Sequence, residues 1–151
     1  MTAETAQKVG LDTSALVRII SGEPPELAEK VARRLAGIID GGGTCLVGDI
    51  AAFEAYYALQ QFYGMTKGEA LGHLRELAAT PGFRFSRTVA AILQIPNLDR
   101  ANPGFIDRVL AAGYRAAGAA TLSCEKSFKN SPTPSLFPED NGASQNPMRK
   151  S

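Results

Sequence analysis

Four acidic residues stand where acids are costly or where structural elements end: Asp12 in KVGLDTSALVRII, Glu54 in IAAFEAYYAL, Asp107 in GFIDRVLAAGY and Glu125 in LSCEKSF. Carboxylates that converge repel one another, so they take up protons or bind a cation. Oxygen-only donors select a hard divalent ion, Mg²⁺ or Mn²⁺. The single histidine, His73, and the absence of a CxxC spacing argue against zinc. Asp12 interrupts an apolar run, and a carboxylate at the edge of a core needs a hydrogen bond, a partner or a metal. The simpler reading is that Asp12 or Thr13 caps a helix starting near Ser14. Glu54 is the only charged residue between Ile50 and Leu59, on a helix that is apolar nearly all round. Such a helix is expected to be buried, and a buried Glu calls for a partner. An arginine, or a side chain that snorkels to the rim, would serve as well as a metal. Asp107 falls in the first two turns of its helix, where a negative charge suits the macrodipole. Ile106, Leu110, Gly113 and Ala117 are expected to form that helix's buried stripe, with Asp107 at its border. Glu125 alone is an ordinary cap or loop residue.

The elements that must carry these acids alternate along the chain. QKVGLD reads as a buried strand ending at Asp12, and TSALVRII as a short helix. EPPELAEKVARRLAGIIDGGG is an amphipathic helix with Leu27, Val31, Leu35 and Ile38 at helical spacing; prolines open it and Gly41 to Gly43 stop it. TCLVG is a second strand. Asp49 is placed to cap the Glu54 helix, which ends at Gly64. Thr66 and Glu69 form a capping box for the next helix. FRFS reads as a third strand and RTVAAILQI as a helix. Asn102 and Pro103 are the expected N-cap and first residue of the Asp107 helix, and AATLSC is a fourth strand that leads to Glu125. Leu136–Phe137 add a small edge strand. Strands alternating with helices predict an α/β protein: a three-layer α/β/α sandwich around a mainly parallel four- to five-stranded sheet. In such sheets sites form beyond the carboxyl ends of the strands, where Asp12 and Glu125 fall. The domain is expected to span 1–137, with a disordered tail over 138–151.

The bulk properties narrow the setting. At 151 residues, 44% hydrophobic and 21% charged, the chain can bury one core. A net charge of +1 gives no global attraction to polyanions, so a nucleic acid must be met by a local patch. Cys45 and Cys124 lie in strand-like runs and are expected as buried reduced thiols. With no signal-peptide core and no membrane-length apolar run, a cytoplasmic protein is expected. DGGGT lacks the Lys–Ser/Thr of a phosphate loop and reads as a helix stop and turn.

LDTSALVR, FEAYYAL, FIDRVLAA and TLSCEKSF, in this order, resemble the PIN-domain family, and most closely the VapC-type toxins of toxin–antitoxin pairs. The resemblance runs from about Val9 to about Phe137. It implies that Asp12, Glu54, Asp107 and Glu125 hold Mg²⁺ or Mn²⁺, with Ser14 helping to hold the metal or its water. The fourth position is usually Asp or Asn in a T-F-D-x-D-F-like run; here Glu125 stands at the acidic position and Ser127 at the second, less strict one. The resemblance further implies a metal-dependent endoribonuclease, a homodimer and an antitoxin that buries an apolar groove. Tyr57 and Tyr63 are candidates for such a surface, or for the core.

Phosphodiester hydrolysis needs an activated water and a screen for phosphate charge, and carboxylate-held metal ions supply both. Cleavage by a metal-bound water leaves a 5′-phosphate and a 3′-hydroxyl. Arg18, Arg84, Arg87, Arg108, Lys126 and Lys129 could meet the RNA backbone, and Lys126 and Lys129, beside Glu125, are best placed to do so. A PIN-like module with weakened catalysis that binds RNA or protein is the alternative. An aspartyl phosphatase would need a second Asp at the position of Ser14. A last reading leaves the acids scattered and unrelated.

Overall fold

Three short strands carry the edge on which Asp12 stands. The computed structural model describes residues 6–140. β1 (Lys8–Leu11), β2 (Thr44–Val47) and β3 (Phe83–Phe85) are parallel and hydrogen-bonded in that order. Their register aligns Leu11, Val47 and Phe85 in one row across the sheet. These three and Cys45 are buried, so alternate residues of the strands feed the core. Parallel neighbours need helical crossovers. α1 (Thr13–Ser21) and α2 (Pro25–Asp40) join β1 to β2; α3 (Asp49–Phe62) and α4 (Lys67–Ala78) join β2 to β3; α5 (Arg87–Leu93) follows β3.

Local chemistry fixes most of these boundaries. Asp12, Thr66 and Ser86 each accept a hydrogen bond from a first-turn N–H of the helix they precede, and Thr66 and Glu69 complete the capping box. The turn from α2 to β2 depends on glycine. Gly42 has φ +85°, and a Cβ on Gly43 would lie 2.7 Å from the Gln7 carbonyl oxygen and 2.8 Å from that of Ile38. That close approach lets Gly43 N–H donate to Ile38 O at 2.8 Å and Thr44 N–H donate to Gln7 O at 2.9 Å, which starts the β1–β2 ladder.

The chain divides into two compact units after Gln94. The second holds a 3₁₀ turn at Leu98–Arg100, α6 (Phe105–Ala116), β4 (Thr121–Leu122), a 3₁₀ turn at Lys126–Asn130 and β5 (Ser135–Leu136). β4 and β5 pair in parallel, Thr121 with Ser135 and Leu122 with Leu136. The α/β class and the parallel pairing agree with the sequence. The five strands form one three-stranded and one two-stranded hydrogen-bonded sheet.

Several local expectations are corrected. α6 starts at Phe105 with Gly104 as N-cap, not at Pro103, and α3 starts at Asp49 with Gly48 as N-cap. On α6 the residues turned inward are Phe105, Val109 and Ala111; Ile106, Leu110, Gly113 and Ala117 are exposed. Leu27 on α2 is exposed as well. Cys124 is exposed because β4 stops at Leu122 and leaves it in a turn; only Cys45 is buried. Pro138 to Asp140, expected in the tail, belong to a turn in which Phe137 N–H donates to Asp140 Oδ2 at 2.8 Å and Asp140 N–H donates to Phe137 O at 3.0 Å. The remainder of the expected tail, 141–151, lies outside the described residues. Among the described residues no helix is long and apolar enough to cross a membrane.

Candidate active site

Asp12 has extended backbone, φ −84° and ψ 175°, at the point where β1 becomes α1. Its Oδ1 accepts the Ala15 backbone N–H at 2.9 Å and the Ser14 hydroxyl at 2.7 Å. The Ala15 N–H, followed by the Ser14 hydroxyl, holds the carboxyl below its ordinary value of 3.8. Asp12 is therefore a carboxylate at neutral pH, and it is exposed. Both bonds fall on Oδ1, so Oδ2 remains open to a further partner. The helix-cap reading of Asp12 is correct, and it leaves one oxygen for chemistry.

Glu54 occupies the second turn of α3. The expectation that this helix is buried all round fails. Ala52, Ala55, Tyr56 and Leu59 form its core stripe, while Ile50 and Tyr57, on the Glu54 side, are 73% and 59% exposed. Glu54 itself is exposed and has no hydrogen bond or ion pair among the described residues. The helix is apolar all round because it carries two apolar faces, and only one belongs to this chain's core. α1 packs against α3. Both helices start at the carboxyl edge of the sheet, α1 two residues beyond Leu11 and α3 two residues beyond its row partner Val47. Asp49, which the sequence suggested only as a cap, is half-buried at that same edge. The strand register is the signal that places it there.

The other two acids lie in the second unit. Asp107 is half-buried in the first turn of α6. Its neighbour Arg108 donates from Nε to the Pro103 carbonyl oxygen at 2.6 Å, holding the loop before the helix. Glu125 is exposed and precedes the second 3₁₀ turn; its backbone N–H donates to Ser123 Oγ at 2.9 Å. Lys126 is exposed, and Lys129 Nζ lies 5.4 Å from the centroid of the Phe137 ring. Arg18, another candidate cation, donates to the Tyr63 hydroxyl at 3.2 Å and ties α1 to the end of α3. Among the described residues, the structure joins Asp12 to Ser14 but groups no three His, Cys, Asp or Glu side chains closely enough to hold a metal.

Residues 9–132 match the PIN domain family. The chain belongs to the PIN domain family. No curated protein and no solved structure matches it. The PIN domain is a nuclease-type fold, and its members typically use divalent metal ions. Two of its acids have oxygens open to such an ion, although no three ligand side chains stand together among the described residues. Asp12 is an ionised, exposed carboxylate with a free oxygen, and Glu54 is an exposed acid with no partner among the described residues. The lone histidine is not needed: His73 lies half-buried on α4 and lines an apolar cleft of about 360 Å³ with Ile19, Leu35, Ile39, Leu77 and Phe83. Burial pushes the Cys45 thiol up, which makes it an inert core group.

Proposed function

We propose that this PIN domain is a metal-dependent endoribonuclease and the toxin of a cytoplasmic toxin–antitoxin pair. The observation that carries the reading is Asp12, held ionised at the carboxyl edge of the parallel sheet with one oxygen free, within a chain of the PIN family. Asp12, Glu54, Asp107 and Glu125 are the residues that would hold Mg²⁺ or Mn²⁺. When bound, the ion supplies a nucleophilic water and neutralises phosphate charge. Ser14 fixes the Asp12 carboxylate through its hydroxyl. Lys126 supplies positive charge beside Glu125 for the RNA backbone, and Lys129, resting on Phe137, supplies it from a more restrained position.

Two surfaces support the proposed partners. The exposed stripe of α3 with Ile50 and Tyr57 suits a second copy in a homodimer. The apolar cleft between α1, α2, α4 and β3 suits an antitoxin segment. Two observations favour the alternative, a catalytically weakened RNA- or protein-binding module: no group of three ligands stands together among the described residues, and Glu125 stands where the resembled family usually has a shorter acid.

The test is cleavage of a mixed RNA pool by the purified chain with Mg²⁺, Mn²⁺ or EDTA. Metal-dependent cleavage lost in Asp12→Ala upholds the nuclease. A folded protein that binds RNA but cleaves none with either metal upholds the weakened module.

A further inference from the structure

We propose that Arg87 binds a phosphate of the RNA strand flanking the one held at Asp12, so that the substrate lies along the carboxyl edge of the β1–β2–β3 sheet. This rests on the reading of Asp12 as a metal-site acid. The register puts Leu11, Val47 and Phe85 in one row. The next residue of each strand is Asp12, Gly48 or Ser86, and these are the N-caps of α1, α3 and α5. Neighbouring strands lie about 4.8 Å apart, so Asp12 and Ser86 stand on the order of 10 Å apart across the edge. Gly48, between them, puts no side chain in the way. Arg87 comes directly after Ser86.

Arg87 stands apart from the other arginines of its unit by its position. Like Arg34 and Arg84 it is exposed and makes no hydrogen bond or ion pair among the described residues, whereas Arg18 donates to Tyr63, Arg33 to Glu29 and Arg75 to the Leu93 carbonyl oxygen; of the three free arginines only Arg87 follows the N-cap row at the carboxyl edge. It also occupies the first position of α5, where the helix dipole disfavours a cation. α2, α3 and α4 carry acids in their first turns, while α1 and α5 have none, and of these two only α5 starts with a cation. A local rule broken without a local compensation points to function. A guanidinium on an open edge is suited to an incoming phosphate, which it grips through two parallel donors. The edge then presents a carboxylate end, which accepts phosphate through a bound cation, and an arginine end, which accepts it directly.

The experiment measures kcat and KM on a single-stranded RNA that the wild type cleaves, at several salt concentrations, for Arg87→Ala, Arg87→Lys and Arg87→Glu. Arg34→Ala, on the exposed side of α2, is the control. Arg87→Ala is expected to raise KM roughly tenfold, leave kcat within about threefold and lower the salt slope by about one. Arg87→Lys should restore most of the affinity. Arg87→Glu should weaken binding furthest while its melting temperature stays level or rises, which a merely structural arginine would not do. A wild type that cleaves RNA with KM unchanged in Arg87→Ala, or changed equally in Arg34→Ala, overturns this inference and leaves the nuclease standing. A wild type that neither cleaves nor binds RNA overturns both.

Discussion

Asp12 and Glu125 are both acids that follow a strand, but the chain holds them in different ways. Asp12 is needed by the fold: its Oδ1 receives two hydrogen bonds and starts α1. Glu125 is held through its backbone, by the bond from its N–H to Ser123, and its side chain makes no cap. The same contrast runs through the two units. In the first, side chains at Asp12, Thr66 and Ser86 cap α1, α4 and α5, while α2 and α3 start without a side-chain cap. In the second, α6 starts at Gly104 without a side-chain cap, and loops are closed by short-range bonds such as Ser131 with Thr133 and Phe137 with Asp140. A carboxylate built into a helix start is preorganised and needs little further ordering to bind a cation. One on a short turn must be ordered when it binds.

The sharpest way to break this comparison separates the two oxygens of Asp12. Asn caps helices as well as Asp does. Asp12→Asn should therefore keep the urea midpoint nearly unchanged while RNA cleavage falls at least about 100-fold, since even residues that only orient a metal ligand cost 10–100-fold. Glu125→Gln should lose less, about tenfold on the same scale. Equal losses at both sites would show that preorganisation does not rank these acids.

Glycines extend the contrast to stability. Gly43→Ala drives a Cβ against two backbone carbonyl oxygens, and overpacking of this kind costs about 1–3 kcal/mol. Gly113→Ala on α6 meets open space inside a helix and should stabilise by roughly 0.5–1 kcal/mol. Denaturant curves of the two variants should move in opposite directions.

The sequence made legible what local chemistry decides. The Thr66–Glu69 capping box, the stop at Gly41–Gly43 and the end of β1 at Asp12 are each set by a few adjacent residues, and each stands as read. Faces were harder. α6 offers two apolar stripes, and the inward choice fell on Phe105 and Val109. Periodicity finds a stripe but does not say which of two is covered. α3 misled for a related reason: Ile50, Tyr57 and Phe62 are as apolar as a core yet lie outside it. Cys124 was misplaced because β4 is two residues long, too short for alternation to register. For the candidate site, the sequence supplied each acid, while the alignment of Asp12, Gly48 and Ser86 on one edge came only from the strand register.

The cap at Asp12 can be tested by itself. Asp12→Ala removes the Oδ1 acceptor and should cost about 1 kcal/mol at neutral pH. The bonds from Ala15 N–H and the Ser14 hydroxyl favour the carboxylate, so the folded protein binds this proton less readily than the unfolded chain. The stabilisation is then fully present above the ordinary carboxylate value of 3.8 and is lost as pH falls through the lowered folded value. Urea unfolding of wild type and Asp12→Ala at neutral pH and near pH 3 should show the gap narrowing on the acid side. Asp12→Asn caps without titrating at this position, so it should hold its advantage over Asp12→Ala across the same range. A wild-type advantage that persists unchanged into acid would mean that the hydrogen bonds at Asp12 do not distinguish the carboxylate from the acid. The preorganised charge on which the comparison with Glu125 rests would then be absent.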